Sequence, residues 1–347
     1  MKKQIQIGNC TIGENFSPFI IAEMSGNHNQ SLNKALEIVE AAAFAGVDAI
    51  KLQTYTADTI TLKKSIQIND LNSLWNGKNL HDLYTEAHTP WEWHSKIFKF
   101  AKSKGLLAFS SPFDVTAVDF LETLNVPVYK IASFENTDQI LLKKVAKTGK
   151  PIIISSGASN LSDIDESIRF LRSFGCNDII LLKCTSNYPA SPENSNINAI
   201  PYMREIFNIN VGISDHTMGI GVPIAATALG ARVIEKHLTI KRSEGGVDSA
   251  FSLEPLEFKN LVEEVKKAFL SLGNKSIEIQ PSEQKSLFFK RSLYFIKNLN
   301  KGDIISNEDI KSFRPALGIA TKYYDEIIGK VAKKDIKEGT PVSWDLI

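Results

Sequence analysis

Eight short apolar runs recur between residues 19 and 238, and most of them are separated by a stretch with the spacing of an amphipathic helix. They occupy residues 19–24, 49–54, 106–113, 128–133, 151–157, 179–186, 211–216 and 231–238. This alternation predicts a parallel sheet, because each parallel strand needs a long crossover to reach the next one. Eight such units in about 255 residues match the size of a (β/α)8 TIM barrel, a fold of the α/β class.

Polar side chains gather toward the C-terminal ends of these runs. They are Glu23, Lys51, Gln53, Ser110, Ser111, Lys130, Ser133, Ser155, Ser156, Lys183, Thr185, Ser214, His216, Glu235 and His237. Buried parallel strands should be almost continuously apolar, and a buried lysine is costly unless it is paired. Because barrel active sites form at this face, the pattern favours a barrel with a catalytic mouth. An open doubly wound sheet, the alternative fold, normally has a glycine-rich phosphate turn, which EMSGNHNQS does not contain.

Two neighbouring runs end on a histidine. The stretch 211–238 has the pattern of a strand, a helix and a strand, with His216 and His237 at the strand ends. Adjacent parallel strands lie about 5 Å apart, so both imidazoles could reach one metal ion. A histidine pair with nearby carboxylates suits Mn, Fe or Zn better than Ca. Two unrelated histidines that only make hydrogen bonds are the alternative, and their matched placement favours a ligand pair.

Two lysines at the predicted mouth, Lys51 and Lys130, admit three interpretations. With the hydroxyls of the nearby serines they would form a clamp for phosphate and carboxylate groups. One of them could instead form an imine, as in aldolases that use an amine of lowered pKa. Both could also be paired with Glu23 or Glu135 for stability alone. The clamp is favoured, because an imine needs only one lysine in a dry apolar pocket. Its serines are Ser111, Ser133, Ser155 and Ser214.

The composition limits the partners and the location. Hydrophobic residues make up 43% and charged residues 23% of the chain, as in an ordinary soluble enzyme. A net charge of +1 gives no reason to expect nucleic acid or an acidic membrane as a partner. Three cysteines without a CxxC pair predict no disulfide framework. No apolar run has the length of a signal peptide or a membrane span. We therefore expect a cytoplasmic, reduced and soluble protein.

The chain of 347 residues has room for one large domain and a smaller one. We expect the barrel to occupy residues 1–275 and a polar linker to occupy residues 276–288. Residues 289–347 twice repeat a short strand, a Lys-Gly-Asp or Lys-Glu-Gly-Thr turn and a second strand. This repetition indicates a small β-rich domain near the lower size limit for a core of its own, so we expect it to pack against a partner surface.

Two connections at the predicted mouth stand out. The connection over residues 55–89 is unusually long and contains Trp75. It is either a lid that recognises substrate or a packing appendage on the rim.

The loop after the eighth run carries Asp248 just beyond Gly245 and Gly246. Glycines allow a close backbone approach to a ligand, so Asp248 could bind a metal through water or hold a sugar hydroxyl. A solvated loop aspartate is the alternative.

Several motifs along the chain resemble, in order, those of the sialic acid synthase family. They are IAEMSGNHNQSLNKAL, KLQT, FSSPFD, YKIASFE, KCTSNYP, GISDHT and IEKHLT. The tail, with SLYF, KGDIIS and EDIKSFRPALG, resembles the antifreeze-like (SAF) domain that ends those proteins. The resemblance covers nearly the whole chain.

This resemblance implies an activity. Members of the family condense phosphoenolpyruvate with an open-chain N-acetylated amino sugar aldehyde, release phosphate and form a nine-carbon 2-keto acid. The implied protein is a transferase that depends on Mn2+ or Mg2+, with the metal held by His216 and His237. The family also forms a domain-swapped homodimer. Arg314, in the FRPALG turn, would enter the barrel of the partner subunit.

The other site residues carry over from the family by position. Those expected to bind phosphoenolpyruvate are Lys51, Ser111, Lys130, Ser133, Ser155 and Ser214. Those expected around the sugar, the water and the metal are Glu23, Gln53, Glu135, Tyr188 and Asp248. Ser186 departs from the pattern, because it stands where the family has an asparagine; Asn187 follows it.

The implied mechanism begins with an aldehyde oxygen that is activated by the metal as a Lewis acid. C3 of phosphoenolpyruvate then attacks the carbonyl, and water adds at C2 with Glu23 as the first candidate for the base and Asp248 as the second.

Within the family, residues 55–98 are most similar to the branch whose acceptor is 2,4-diacetamido-2,4,6-trideoxy-L-altrose. The legionaminic acid branch is a nearer rival than the N-acetylneuraminate branch. An imine-forming aldolase and a non-catalytic sugar-binding protein are the other functions considered.

Overall fold

The eight apolar runs form the strands of one closed parallel barrel, so the predicted fold is confirmed. A computed structural model gives the structure, and it describes residues 4–64, 67–70, 75–274 and 276–347. The chain divides into two compact units, Met1–Gly273 and Asn274–Ile347. A short antiparallel hairpin, β1 (Ile5–Ile7) and β2 (Cys10–Ile12), precedes the barrel.

The barrel strands follow the chain order, and the last of them closes the ring against the first. They are β3 (Phe19–Glu23), β4 (Ala49–Thr54), β5 (Leu107–Pro112), β6 (Tyr129–Ile131), β7 (Ile152–Ser155), β8 (Ile179–Cys184), β9 (Asn210–Asp215) and β10 (Val233–His237). The closing pair runs in register from Val233 beside Phe19 to His237 beside Glu23. Strands of Ile, Leu and Val that are buried on both faces are typical of a parallel sheet.

Most of the helices cover the outside of the barrel. The described helices of this unit are α1 (Leu32–Ala45), α2 (Ala57–Ile60), α3 (Leu80–Ala87), α4 (Trp91–Ser103), α5 (Val115–Thr123), α6 (Gln139–Ala146), α7 (Leu161–Ser173), α8 (Ala199–Phe207), α9 (Gly221–Ala228) and α10 (Pro255–Ser271). Of these, α2 and α3 belong to the insert between β4 and α4 at the mouth of the barrel. Short polar side chains fix where several of the helices begin. The Asp114 carboxylate accepts hydrogen bonds from the first backbone N–H groups of α5, and the Asp138 carboxylate accepts them from the first N–H groups of α6. These caps satisfy backbone N–H groups that have no partner within the helix.

Two-residue alternation decides which polar strand ends face the barrel interior. Ser111 lies opposite Gln53 in the register of β4 and β5, and its side chain points inward. The neighbouring residue, Ser110, points outward, and its hydroxyl forms a hydrogen bond with the Thr54 hydroxyl. Lys183 likewise faces away from the interior and donates to the Cys184 carbonyl at 3.0 Å. The prediction that all polar strand ends share one site is therefore wrong for Ser110 and Lys183, since every second residue of a strand points toward the helices.

The second unit has a small core of its own. Its strands β11 (Ser292–Phe295) and β12 (Ile310–Phe313) pair antiparallel, and isolated bridges join Leu299 to Ile336 and Ile304 to Val331. The core contains Leu293, Phe295, Ile305, Ile310 and Val342, and a short helix, α11 (Tyr324–Ile327), packs on it. The predicted linker, residues 276–288, overlaps a 3-10 helical segment, Pro281–Phe289, with mostly exposed side chains.

Among the described helices, none is long and apolar enough to cross a membrane. The three cysteines, Cys10, Cys176 and Cys184, are free thiols.

Two buried histidines make the stability of the barrel unit sensitive to acid. His28 hydrogen-bonds the Thr89 hydroxyl at 3.0 Å, and His94 hydrogen-bonds the Thr54 hydroxyl at 2.9 Å. Neither ring is exposed. Burial lowers the pKa of both His28 and His94 to about 4, because a charged imidazole would lose its hydration.

We expect the free energy of unfolding to decrease as the pH falls from about 6.5 to about 4. The unfolded chain binds protons at the ordinary histidine pKa of about 6.5, whereas the folded chain resists protonation, so acid favours unfolding. At pH 4 the loss is about 3 kcal/mol for each histidine. Thermal unfolding followed at several pH values measures this. The same pH dependence in His94→Gln as in the wild type would contradict this assignment.

Candidate active site

Polar strand ends and the insert after β4 enclose a pocket at the C-terminal mouth of the barrel. Its volume is about 360 Å³, in the range of small-molecule sites. The predicted site residues that line it are Glu23, Lys51, Gln53, Ser111, Lys130, Ser133, Glu135, Ser155, Tyr188, Ser214, His216, His237 and Asp248. Ser186 lies beside it, with its hydroxyl 3.8 Å from the sulfur of Cys184. Arg314 is an exposed residue of the second unit.

The floor of the pocket is a buried network of two lysines and two glutamates. Lys51 forms an ion pair with Glu23, and its Nζ lies 3.8 Å from Oε1 of Glu235. Lys130 Nζ lies 3.4 Å from the same Glu235 oxygen. Strands β3, β4, β6 and β10 supply these side chains. The lysines are thus paired with Glu23 and Glu235, and the Glu135 partner considered from the sequence is not used.

Burial perturbs the titration of several groups in the pocket, Lys130 and Glu135 among them. It lowers the pKa of Lys130, and the charge of Glu235 opposes that shift. It raises the pKa of Glu135 to about 7, because a buried carboxylate loses part of its hydration. Perturbed pKa values of this kind often accompany catalytic sites, although buried ion pairs also produce them.

Several buried polar atoms that line the pocket lack a hydrogen-bond partner within the described ranges. They are Glu135 Oε2, Ser155 Oγ, Glu235 Oε2 and His237 Nδ1. Most buried polar groups in proteins are paired, so unpaired atoms that face one cavity indicate a place for a polar ligand.

The histidine pair lies at one side of the floor. The ring centroids of His216 and His237 are 5.3 Å apart. The Thr185 carbonyl lies 3.0 Å from Nδ1 of His216, which leaves Nε2 for other contacts. Asp248 Oδ2 lies 3.6 Å from Nδ1 of His237, and the Ser25 hydroxyl donates to the Asp248 carboxylate. The structure therefore brings the two histidines and Asp248 together, while their roles remain predictions.

These side chains fit a metal that is only partly coordinated by protein. Across the described part of the chain, no group of three or more His, Cys, Asp or Glu side chains is arranged to hold an ion by itself. The buried Nδ1 of His237 has no hydrogen-bond partner there, as expected of a nitrogen reserved for a ligand. Two imidazoles with a nearby carboxylate, completed by water or substrate oxygens, are a suitable donor set for Mn2+.

Hydroxyl groups are crowded together on the side of the pocket formed by β6, β7 and β8. The Gly157 N–H donates to the Ser133 hydroxyl at 3.2 Å. A Cβ atom at Gly157 would collide with the hydroxyls of both Ser133 and Ser186. Glycine is therefore needed here, because the backbone passes too close to both hydroxyls to leave room for a side chain.

Three further residues of the site were not among the predicted site residues. Ser25 contacts Asp248 across the closing strands, Cys184 lies 3.9 Å from Nδ1 of His216, and Glu235 joins the two lysines. Burial opposes ionisation of Cys184, yet its hydrogen bond with His216 lowers the pKa to about 7. Glu235 had a signal, since it lies on the same strand face as His237. Ser25 and Cys184 are ordinary loop and strand residues in the sequence and had none.

The insert between β4 and α4 forms the outer wall of the pocket. Its helices α2 and α3 place Ile60, Leu80, Leu83 and Tyr84 on the cavity. The indole of Trp75 crosses the mouth and donates to the Val247 carbonyl at 3.2 Å. This arrangement favours the lid interpretation over the packing appendage. Residues 65–66 and 71–74 of the insert lie outside the described residues.

The fold and the site together define a class of protein. Polar groups at the carboxyl ends of barrel strands are where barrel enzymes carry out their chemistry, and paired lysines among hydroxyls suit an anionic substrate. The sequence profile of the NeuB family matches residues 38–277, and that of the SAF domain matches residues 290–347. The chain belongs to the NeuB family, which confirms the resemblance found in its motifs.

Relatives of the chain are similar over almost its whole length. The pseudaminic acid synthase of Helicobacter pylori is 44% identical over 330 residues, which are 94% of this chain and 97% of the relative. The N,N'-diacetyllegionaminic acid synthase of Campylobacter jejuni is 37% identical over 323 residues, 92% of this chain and 97% of the relative. The crystal structure of N-acetylneuraminic acid synthetase from Leptospira borgpetersenii, in complex with citrate, superposes with a TM-score of 0.75. It has 33% sequence identity and covers 83% of this chain and 96% of that one.

Proposed function

We propose that the protein is a pseudaminic acid synthase. It condenses phosphoenolpyruvate with 2,4-diacetamido-2,4,6-trideoxy-L-altrose and water, and it releases phosphate. The observation that carries this proposal is the pocket floor, where two buried lysines lie beside a histidine pair and a set of hydroxyl donors. The 44% identity to the Helicobacter pylori enzyme supports this acceptor over those of the legionaminic and neuraminic acid enzymes.

Phosphoenolpyruvate binds at the lysines in this proposal. Lys51 and Lys130 hold its phosphate and carboxylate, and the hydroxyls of Ser111, Ser133, Ser155 and Ser214 donate to the remaining oxygens. Lys51 Nζ already lies 3.2 Å from the Ser111 hydroxyl. Charge-assisted hydrogen bonds are the strongest kind available for such a ligand. Glu23 and Glu235 balance the two ammonium groups until the anion arrives.

The sugar aldehyde binds next to the histidines. His216 and His237 would hold the divalent metal, Mn2+ or Mg2+, which supplies Lewis-acid polarisation of the aldehyde oxygen when bound. C3 of phosphoenolpyruvate attacks the aldehyde carbon, a C–C bond forms, and the aldehyde oxygen takes up a proton to become a hydroxyl. Tyr188 packs 4.5 Å from the His216 ring and limits how the sugar enters.

Water completes the reaction at C2 of phosphoenolpyruvate. It adds to the positive centre that the attack creates, and the resulting tetrahedral intermediate loses phosphate by cleavage of the C2–O bond. Glu23 is the first candidate for the base that takes the proton of the water. Gln53 and the Ser25 N–H both donate to its Oε1 at 3.1 Å and orient the carboxylate. Burial raises the pKa of Glu23, with Lys51 opposing, so the group is a better base than an exposed glutamate.

The decisive test is phosphate release from phosphoenolpyruvate by the purified full-length protein. We expect one phosphate for each sugar consumed, and we expect the release to require both the amino sugar and a divalent metal. Parallel assays with the altrose, legionaminic acid and neuraminic acid precursors identify the acceptor. Absence of release with all three, in the presence of Mn2+ or Mg2+, would rule out the proposed function.

An imine-forming aldolase is the second candidate function. The observation in its favour is the lowered pKa of Lys130, which burial causes. The ion pair of Lys130 with Glu235 disfavours the aldolase, because an imine-forming amine should be free to lose its proton.

The assembly and the location remain predictions. We propose a homodimer in which Arg314 of the SAF domain completes the partner's site; the exposure of Arg314 supports this. We also propose a cytoplasmic location, for which the three free cysteines are the support.

A further inference from the structure

We infer that the insert selects the acceptor sugar through an apolar wall, which favours sugars with a methyl group in place of the C6 hydroxymethyl group. The inference rests on the proposed function, since it concerns the sugar of the same reaction. The specificity-determining residues that we assign are six of the insert residues that line the pocket. We name this set the apolar wall: Ile60, Ile68, Trp75, Leu80, Leu83 and Tyr84.

The pocket has two chemically different sides. The strand ends contribute carboxylates, ammonium groups, imidazoles and hydroxyls. By contrast, each described residue that residues 55–89 contribute to the lining is aliphatic or aromatic. Such a division orients a ligand, because its charged or reacting end is stabilised by the floor and its apolar end by the wall.

The wall is attached to the barrel mouth at several points. Trp75 donates to the Val247 carbonyl, and its ring lies 5.7 Å from that of Tyr188. At the other end of α3, the Gln30 amide donates to the Glu86 carbonyl at 3.0 Å and to the His88 carbonyl at 2.6 Å. Leu83 is buried. The apolar wall is therefore a fixed surface against which a ligand can be matched.

The direction of the sugar follows from the chemistry of the floor. Its aldehyde carbon has to meet C3 of a phosphoenolpyruvate held by Lys51 and Lys130. The opposite end of the open chain, which carries C6, then points away from the floor toward the apolar wall. A C6 methyl group gains from burial there, whereas a C6 hydroxyl placed against the aliphatic side chains of the wall would lose water and find no partner among them.

A matched pair of acceptors isolates this effect. The proposed acceptor and 2,4-diacetamido-2,4-dideoxy-L-altrose differ only in the C6 hydroxyl. We expect kcat/KM to favour the 6-deoxy sugar by about 10- to 100-fold, since an apolar pocket rejects an added hydroxyl by roughly this factor. The Michaelis constant of phosphoenolpyruvate should be the same with both sugars.

Variants of the wall locate the selection. Leu80→Asn and Ile60→Thr offer a hydrogen-bond partner to the extra hydroxyl, so each should reduce the preference by about tenfold with the KM of phosphoenolpyruvate unchanged. Leu62→Thr is the matched control. Leu62 belongs to the same insert, its side chain is 79% exposed, and it does not line the pocket in the described structure. Thermal midpoints show whether each variant folds, and the two wall variants serve as replicates of each other.

The possible outcomes separate this inference from the proposed function. Equal kcat/KM for both sugars in the wild type would overturn the inference and leave the synthase activity intact. An unchanged preference in both folded wall variants would also overturn it, because the selection would then lie elsewhere. No phosphate release with either sugar would overturn the proposed function, and the inference with it.

Discussion

His237→Ala should lower kcat/KM for metal-dependent phosphate release by about 10³-fold, and added Mn2+ should not restore it. A metal at this site would supply several kcal/mol of stabilisation to the developing charge, and a loss of about 4 kcal/mol corresponds to this factor. The Nδ1 atom of His237 is buried and without a hydrogen-bond partner in the described residues, so its expected purpose is to bind a ligand.

Two further measurements distinguish loss of metal from loss of structure. Bound Mn2+, followed by electron paramagnetic resonance, should disappear in His237→Ala, while the thermal midpoint shows whether the barrel is folded. His81→Ala is the matched control: His81 pairs with Asp58 on the insert and does not line the described pocket, so activity should persist. Full activity in a folded His237→Ala would show that the metal assignment is wrong.

Lys130→Met should raise the KM of phosphoenolpyruvate and lower kcat/KM by about 10² to 10³. Lys130 is 2% exposed, and its ammonium group lies 3.4 Å from Glu235. Removing one partner of a buried charge pair typically costs about 2–5 kcal/mol, much of it from the charge left behind. The substrate anion would lose one of its two ammonium contacts as well. Initial rates at varied phosphoenolpyruvate measure both constants.

Lys130→Arg separates the two roles proposed for this lysine. As an anion clamp, arginine keeps the charge and should recover part of the lost affinity for phosphoenolpyruvate. As an imine former it cannot act, so no activity would return, and borohydride should trap pyruvate on the wild type. Lys104→Met, which removes a surface ion pair with Glu40, is the control for loss of a positive charge. Trapping on Lys130 together with insensitivity to EDTA would replace the synthase with the aldolase.

Local sequence patterns predicted the barrel because they depend on neighbouring residues alone. Each apolar run contains a strand: the run at 211–216 corresponds to Asn210–Asp215, whereas the run at 128–133 contains only the short strand Tyr129–Ile131. The polar positions also follow from parity along a strand: Lys51 and Gln53 share the inward face of β4, and Glu235 and His237 share the inward face of β10. Once eight strands are arranged in parallel, their C-terminal ends must share one face, so the location of the pocket followed directly.

Contacts between distant segments were beyond the reach of these patterns. The Trp75 contact joins residues 172 positions apart, and it depends on how a long insert folds over the mouth. Glu235 forms ion pairs with both Lys51 and Lys130. These contacts depend on the stagger between strands, and no local sequence pattern encodes that stagger. The pairing of Lys51 with Glu23 was foreseen as one alternative, since the two strands are neighbours. The metal and the general base are still predictions, because both depend on ligands.

The pairing of β3 with β10, which closes the barrel, also has a consequence during synthesis on the ribosome. Ser25 and Asp248, which are in contact next to this strand pair, are 223 positions apart in the chain. At 5 to 20 residues per second, the first strand waits roughly 10 to 45 s for its last neighbour to be translated. During that interval one edge of β3 is unpaired, so the nascent chain is exposed to association with other chains. The catalytic mouth comes together only when translation has passed the final strand, and a prematurely terminated chain would therefore be inert.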